Sequence, residues 1–277
     1  MYPSALRKLR FHPLVQLLAL LITFSWPVTT PALSLPQSTS LTPDQSAIEK
    51  QRQRLSATDP EERRDALMKL WAMHRMEASR VAAAGLTDPS PMVRVVAAKA
   101  ILSLGPDESV AALTPLLADK DEFVRREVAY ALGQTRSHKA TEALTQLLLN
   151  DKEDGVRAAA AVSLGEVRDE NAVVTLANVL SGDANSSVKK KSRAKKNLFV
   201  LRAVARSLGQ IKSRAGVPAL ITALTNEKVD DDVRREAARS LGMIGDPAAV
   251  PALRIATASA DPYLAQVAFE ALKRLNP

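Results

Sequence analysis

Few side chains in this sequence could do chemistry. Its 277 residues hold three histidines, His12, His74 and His138, and no cysteine. Thiol nucleophiles, disulfides and zinc–thiolate sites are therefore excluded. His74 stands in "WAMHRME" and His138 in "TRSHKAT", and no partner carboxylates for a metal site can be assigned to them. The run Asp230-Asp231-Asp232 has the composition of an acid–base pair. It directly precedes an amphipathic stretch, however, where carboxylates complement the positive end of a helix. No Gly-rich phosphate loop and no Gly-x-Ser-x-Gly elbow occurs. The sequence is read as having no catalytic residue, no cofactor and no metal.

The concentrated charge lies in "SGDANSSVKKKSRAKKN", residues 181–197, with Lys189, Lys190, Lys191, Arg193, Lys195 and Lys196 against the single acid Asp183. Such a cluster is suited to electrostatic docking of an acidic protein, an acidic polymer or anionic lipid headgroups. The whole chain carries a net charge of +8, and removal of Arg7, Lys8 and Arg10 leaves +5. The segment 181–197 supplies all of that remainder. Nucleic-acid wrapping requires positive charge spread along a face, so nucleic acid is not an expected partner.

The elements that position these residues come from a repeat. "FVRREVAYALG" from Phe123, "GVRAAAAVSLG" from Gly155, "FVLRAVARSLG" from Phe199 and "DVRREAARSLG" from Asp232 align directly. Looser copies begin at Glu61, Met92 and Tyr263. The arginine position falls at Arg63, Arg94, Arg125, Arg157, Leu201, Arg234 and Ala265, with spacings of 31, 31, 32, 44, 33 and 31 residues. Apolar residues at i, i+4, i+5 and i+8, as in Val233, Ala237, Ala238 and Leu241, form one helical face. Gly133, Gly165, Gly209 and Gly242 read as helix C-caps. A second helix precedes each of these, so the unit is helix, tight turn, helix. Seven pairs are expected, the first starting near Asp44, and they stack into an all-α solenoid with a period of 31–33 residues. The basic segment falls between the two helices of the fifth pair.

The pattern of Asp, then Val-Arg, then Ala-Ala and Ala-Leu-Gly resembles the HEAT repeat, in particular the short HEAT-like repeat of the phycobilisome lyases. The resemblance covers residues 58–275 and implies a polar ladder between repeats. Asp88/Arg94, Asp119/Arg125 and Asp151/Arg157 match it, as structural residues. Ala57, Lys195, Lys228 and Ser259 depart from the aspartate position, and Leu201 and Ala265 from the arginine position, so the ladder is expected in the three middle repeats. The resemblance also implies either a scaffold that binds a protein partner or, as the alternative, a lyase-like enzyme or chaperone of a bilin-binding protein. The iron-binding His-Glu pairs of the hydroxylase relatives do not occur.

The N-terminus has the three-part layout of a secretory signal: Arg7, Lys8 and Arg10, then the apolar run Leu14–Trp26, then small residues around Ala32-Leu33-Ser34. Thirteen apolar residues are short for a bilayer of ~30 Å at ~1.5 Å per residue. The expectation is a cleaved signal over 1–34, a linker over 35–43 and an exported solenoid over 44–277. An N-terminal membrane anchor is the alternative.

Overall fold

The computed structural model of the protein describes residues 41–182 and 198–275. Among them are fourteen α-helices, several extended by short 3-10 turns, and no strand. In chain order the pairs are α1 (Pro43–Arg54) with α2 (Pro60–Ala72), α3 (Met76–Ala82) with α4 (Pro91–Ala100), and α5 (Pro106–Leu113) with α6 (Glu122–Thr135). They continue with α7 (Thr141–Asn150) and α8 (Asp154–Val167), then α9 (Val173–Gly182) and α10 (Leu198–Ile211). The last are α11 (Val217–Thr225) with α12 (Asp231–Ile244), and α13 (Val250–Ala256) with α14 (Pro262–Leu275). The sequence period thus gives seven pairs among the described residues. The long spacing falls inside the fifth pair, between α9 and α10. The signal reading and the basic side chains from Lys189 to Lys196 lie outside the described residues.

The helices form two layers. Each even-numbered helix packs on the next even-numbered helix, and each odd-numbered helix lies against the even one that follows it. Starts are fixed locally. Thr42 and Gln45 form a reciprocal capping box on α1, Asp59 caps α2 and Asp121 caps α6. Proline opens α2, α4 and α14, where its missing N–H has no intrahelical acceptor anyway. The core between the layers is a column of Leu70, Ile101, Leu132, Leu164, Leu208 and Leu241, none more than 1% exposed. Ala98, Ala129, Ala161, Ala205 and Ala238 are fully buried beside it, and their short side chains let successive even helices approach closely.

The glycines of the repeat require a correction. Gly133, Gly165, Gly209 and Gly242 lie inside α6, α8, α10 and α12, not at their caps. A Cβ at Gly133 would lie 2.8 Å from Ser163 Cα, at Gly165 2.9 Å from Ser207 Cβ, at Gly209 2.9 Å from Ser240 Cα and at Gly242 2.8 Å from Ala271 Cα. These residues are glycine because the next helix of the layer passes there. The left-handed cap comes three residues later, at Arg136, Arg168, Lys212 and Gly245, with φ of 52°, 59°, 61° and 75°. Three of those four positions hold a basic residue, which suits the negative end of a helix.

Candidate functional site: the polar ladder and the open helical face

The matching aspartates and arginines come together across repeats. Arg94 donates through Nε and Nη2 to both carboxylate oxygens of Asp119, at 2.7 and 2.8 Å. Its Nη1 donates to the backbone carbonyl of Asp88 at 2.8 Å. Arg125 repeats the arrangement with Asp151, at 2.7 and 3.0 Å, and with the carbonyl of Asp119 at 2.9 Å. Each guanidinium therefore ties its own repeat to the aspartate of the next, and each carboxylate also accepts backbone N–H groups of its own turn, as Asp119 does from Asp121. Such a planar fork is bidentate and charge-assisted.

The ladder extends beyond the middle repeats at its start. Arg63 reaches Asp88 at 2.7 and 2.9 Å and donates to the carbonyls of Ala57 and Thr58. Ala57 suffices because the arginine uses only a carbonyl of its own repeat and takes its carboxylate from the next. Arg157 makes a charge-assisted contact with Asp154, three residues before it in the same helix. Near the C-terminus the rung is shifted by one residue. Arg235 donates to Asp261 at 2.7 Å, whereas Arg234 donates to the Leu224 carbonyl and to Asp231.

The electrostatics follow the geometry. Hydrogen bonding to Asp88 raises the affinity of Arg63 for its proton, and hydrogen bonding to Asp151 does the same for Arg125. The Arg63 hydrogen bond holds Asp88 below the usual carboxylate range, and the Arg235 hydrogen bond does so for Asp261. Burial pushes Asp119 and Asp151 upward, but the Arg94 and Arg125 forks with neighbouring backbone N–H groups outweigh it and leave both low. These carboxylates are committed to ion pairs and are not poised as acids or bases.

A second set of polar contacts, which the sequence reading missed, joins the starts of the odd-numbered helices in successive pairs. Asp107 accepts from Ser137 at 2.8 Å and Lys139 at 2.7 Å, and Thr141 donates to Asp169 at 2.7 Å in a buried contact. Asp44 pairs with Arg75. The signal in the sequence is an acid and a donor about one repeat apart, in either order.

The outward face of the even layer carries exposed apolar groups such as Phe199 and Tyr263, while Leu149, Val174 and Ile255 are exposed on odd helices. The position before the Val-Arg pair is Met92, Phe123, Gly155, Phe199, Asp232 and Tyr263 in successive repeats. Arg126 lies 4.9 Å over the Phe123 ring and Arg235 5.4 Å over the Tyr263 ring. At Gly155 a pocket of about 390 Å³ opens, lined by residues that include Glu122, Arg126, Lys152 and Asp154. Another of about 540 Å³ lies among Gln134, Arg136, Glu166, Arg168 and Gln210 at the opposite helix ends. Among the described residues no three His, Asp or Glu side chains are grouped to hold a metal ion, and His74 and His138 belong to separate turns. No helix among them is long and apolar enough to cross a membrane.

The HEAT-repeat profile matches residues 48–121, 79–165 and 193–273, which together span most of the chain. The chain belongs to the HEAT-repeat family. Within it, residues 156–182 of this HEAT-repeat chain also match the PBS lyase HEAT-like repeat, which covers nearly all of α8 together with α9. No curated protein sequence matches significantly. Among solved structures it is similar to the complex of CpcE and CpcF of phycocyanin lyase from Nostoc sp. PCC7120, at 23% identity over 90% of this chain and 92% of that one, TM-score 0.48. It is also similar to human deoxyhypusine hydroxylase, at 21% identity over 82% and 84%, TM-score 0.41. A designed armadillo repeat protein matches at 18% identity over 83% of this chain and all of its own, TM-score 0.35.

Proposed function

We propose that this HEAT-repeat chain is an exported scaffold that holds a protein partner and carries out no chemistry of its own. The observation that supports it best is the distribution of charge. The ladder carboxylates are consumed in ion pairs between repeats. The positive excess that remains without residues 1–34 sits in residues 181–197, at the junction of α9 and α10. In this reading Lys189, Lys190, Lys191, Arg193, Lys195 and Lys196 attract an acidic partner surface, and the stack of repeats is the frame that holds the partner. An acidic polymer or an anionic membrane surface offers the same chemistry and is separated by experiment.

The test is deletion of Ser186–Lys196. Binding to an acidic polymer and to vesicles of anionic lipid is compared at low and high salt for the whole chain and the deletion. Loss of low-salt binding in the deletion supports the reading, and equal binding refutes the role of the segment. Export is tested by the intact mass of the native protein, expected to begin near Leu35 or Leu33; a full-length membrane species supports the anchor instead.

A second reading rests on the match of residues 156–182 to the PBS lyase HEAT-like repeat. It makes the chain a lyase-like enzyme or chaperone for a bilin-binding protein. Coexpression with a bilin and an apo-antenna subunit decides it: covalent chromophore favours that reading and its absence favours the scaffold.

A further inference from the structure

We infer that the outward face of α8, between α6 and α10, is a docking groove for an acidic segment of a partner protein that also carries one bulky apolar side chain. This deepens the scaffold reading and rests on it.

The groove follows from which side chains each repeat sends outward. α10 presents Phe199, Arg202 and Arg206, all exposed and spaced i, i+3 and i+7, so they form one stripe. Phe199 is 66% exposed, which is unusual for a phenyl group at the start of an otherwise well-packed helix. At the same three positions α8 has Gly155, Ala158 and Val162, which are too short to reach the level of their neighbours. α6 presents Phe123, Arg126 and Tyr130 there. α8 packs against both α6 and α10, so a floor of small residues runs between two walls of aromatic and guanidinium groups. The pocket of about 390 Å³ at the Gly155 end of this floor is lined from the α6 side and the turn before α8, by Glu122, Arg126, Lys152, Glu153 and Asp154 around Gly155 and Val156, and a Cβ added at Gly155 meets nothing within 4 Å.

Charge selects the occupant. α10 contains two arginines and no acid. Arg202 approaches Asp232 only at 3.7 Å, with both side chains nearly half exposed, and Arg206 pairs with no carboxylate among the described residues. The pocket end is electrically balanced, since Glu122, Glu153 and Asp154 stand there with Arg126 and Lys152, and Arg157 pairs with Asp154. The partner's carboxylates therefore belong on Arg202 and Arg206, and its apolar side chain belongs over Gly155 against Phe123 and Phe199. An aromatic or large aliphatic anchor in a pocket, flanked by charge pairs, is the usual anatomy of a tight interface.

The probe is a library of displayed linear random peptides selected on the immobilised full chain. Enriched peptides are then measured by fluorescence anisotropy against four proteins: the unaltered chain, Gly155→Trp, the double variant Arg202→Glu/Arg206→Glu, and the Ser186–Lys196 deletion. Gly155→Trp grows from a helical position where an added Cβ meets nothing within 4 Å, so circular dichroism and melting are expected to match the unaltered chain. The expected result is enrichment of peptides rich in Asp and Glu with one large apolar residue. Their affinity falls roughly tenfold or more in both groove variants. It persists in the deletion. Peptides without acidic enrichment, peptides that bind the groove variants unchanged, or no enriched peptide at all overturn the inference. Binding lost only in the deletion overturns it too, while leaving the scaffold reading intact.

Discussion

At the scale of single residues, the structure separates two kinds of glycine. Gly242 faces Ala271 so closely that a Cβ would lie 2.8 Å from its Cα, whereas Gly155 faces open space. Gly242→Ala is expected to destabilise the fold by about 1–3 kcal/mol, because the steric cost exceeds the gain in helix propensity. Gly155→Ala is expected to be neutral or slightly stabilising. Urea unfolding of the two variants checks both. The ladder arginines divide from surface arginines in the same way. Arg125 and Asp151 have side chains 8% and 6% exposed, so Arg125→Ala strands a buried carboxylate and is expected to cost about 3 kcal/mol. Arg52→Ala, which removes an exposed pair with Glu49, is expected to change stability by less than about 0.5 kcal/mol. Equal effects in the two arginine variants would contradict the structural role of the ladder.

At the scale of helices, the ladder and the leucine column hold successive pairs in register. Asp88, Asp119, Asp151 and Asp261 all titrate below their ordinary value in the folded chain. A carboxylate whose folded value is depressed contributes stability that is complete above its unfolded value, about 4, and is lost as pH falls through the folded value. The urea midpoint is therefore expected to be flat from neutral pH to about 5 and to decline below about 4. Asp151→Asn is expected to lower the midpoint at neutral pH and to weaken its acid dependence, since one linked group is gone. On the apolar side, Leu132, Leu164 and Leu241 are fully buried. Leu164→Asp, or the same change at either of the others, puts an unpaired charge among apolar side chains and is expected to cost several kcal/mol. Unchanged melting temperatures for all three would refute this register.

At the scale of the whole molecule, each repeat depends on its neighbours, and stability is close to a sum of repeat and interface contributions. An insertion between α9 and α10 is compatible with that logic if it leaves the even layer continuous, and α8 does pack directly on α10 across it. Deletion of Ser186–Lys196 brings the 44-residue spacing to 33, within the range of the other copies. Loop length changes free energy only slowly, so helicity and melting temperature are expected to be retained. A large loss of helicity on circular dichroism would show that the segment supports the stack.

The sequence by itself determined the all-α class, the repeat period and the number of pairs among the described residues. All of these follow from local periodicity, because a helix exposes the same face every three or four residues and a repeat exposes it again about thirty residues on. What it did not determine were relations between helices. Gly133, Gly165, Gly209 and Gly242 looked like caps because glycine at a helix end is cheap in the left-handed region, but their cause is the backbone of the following repeat. Arg63 joins the ladder although Ala57 lacks the expected carboxylate, and Arg235 takes the place of Arg234. The partner of each guanidinium lies 25 or 26 residues ahead, and only the packed layer decides which arginine reaches it. The groove on α8 is likewise invisible in one repeat. It exists because a repeat with short side chains is stacked between two with long ones, and that juxtaposition is a property of the tertiary structure alone.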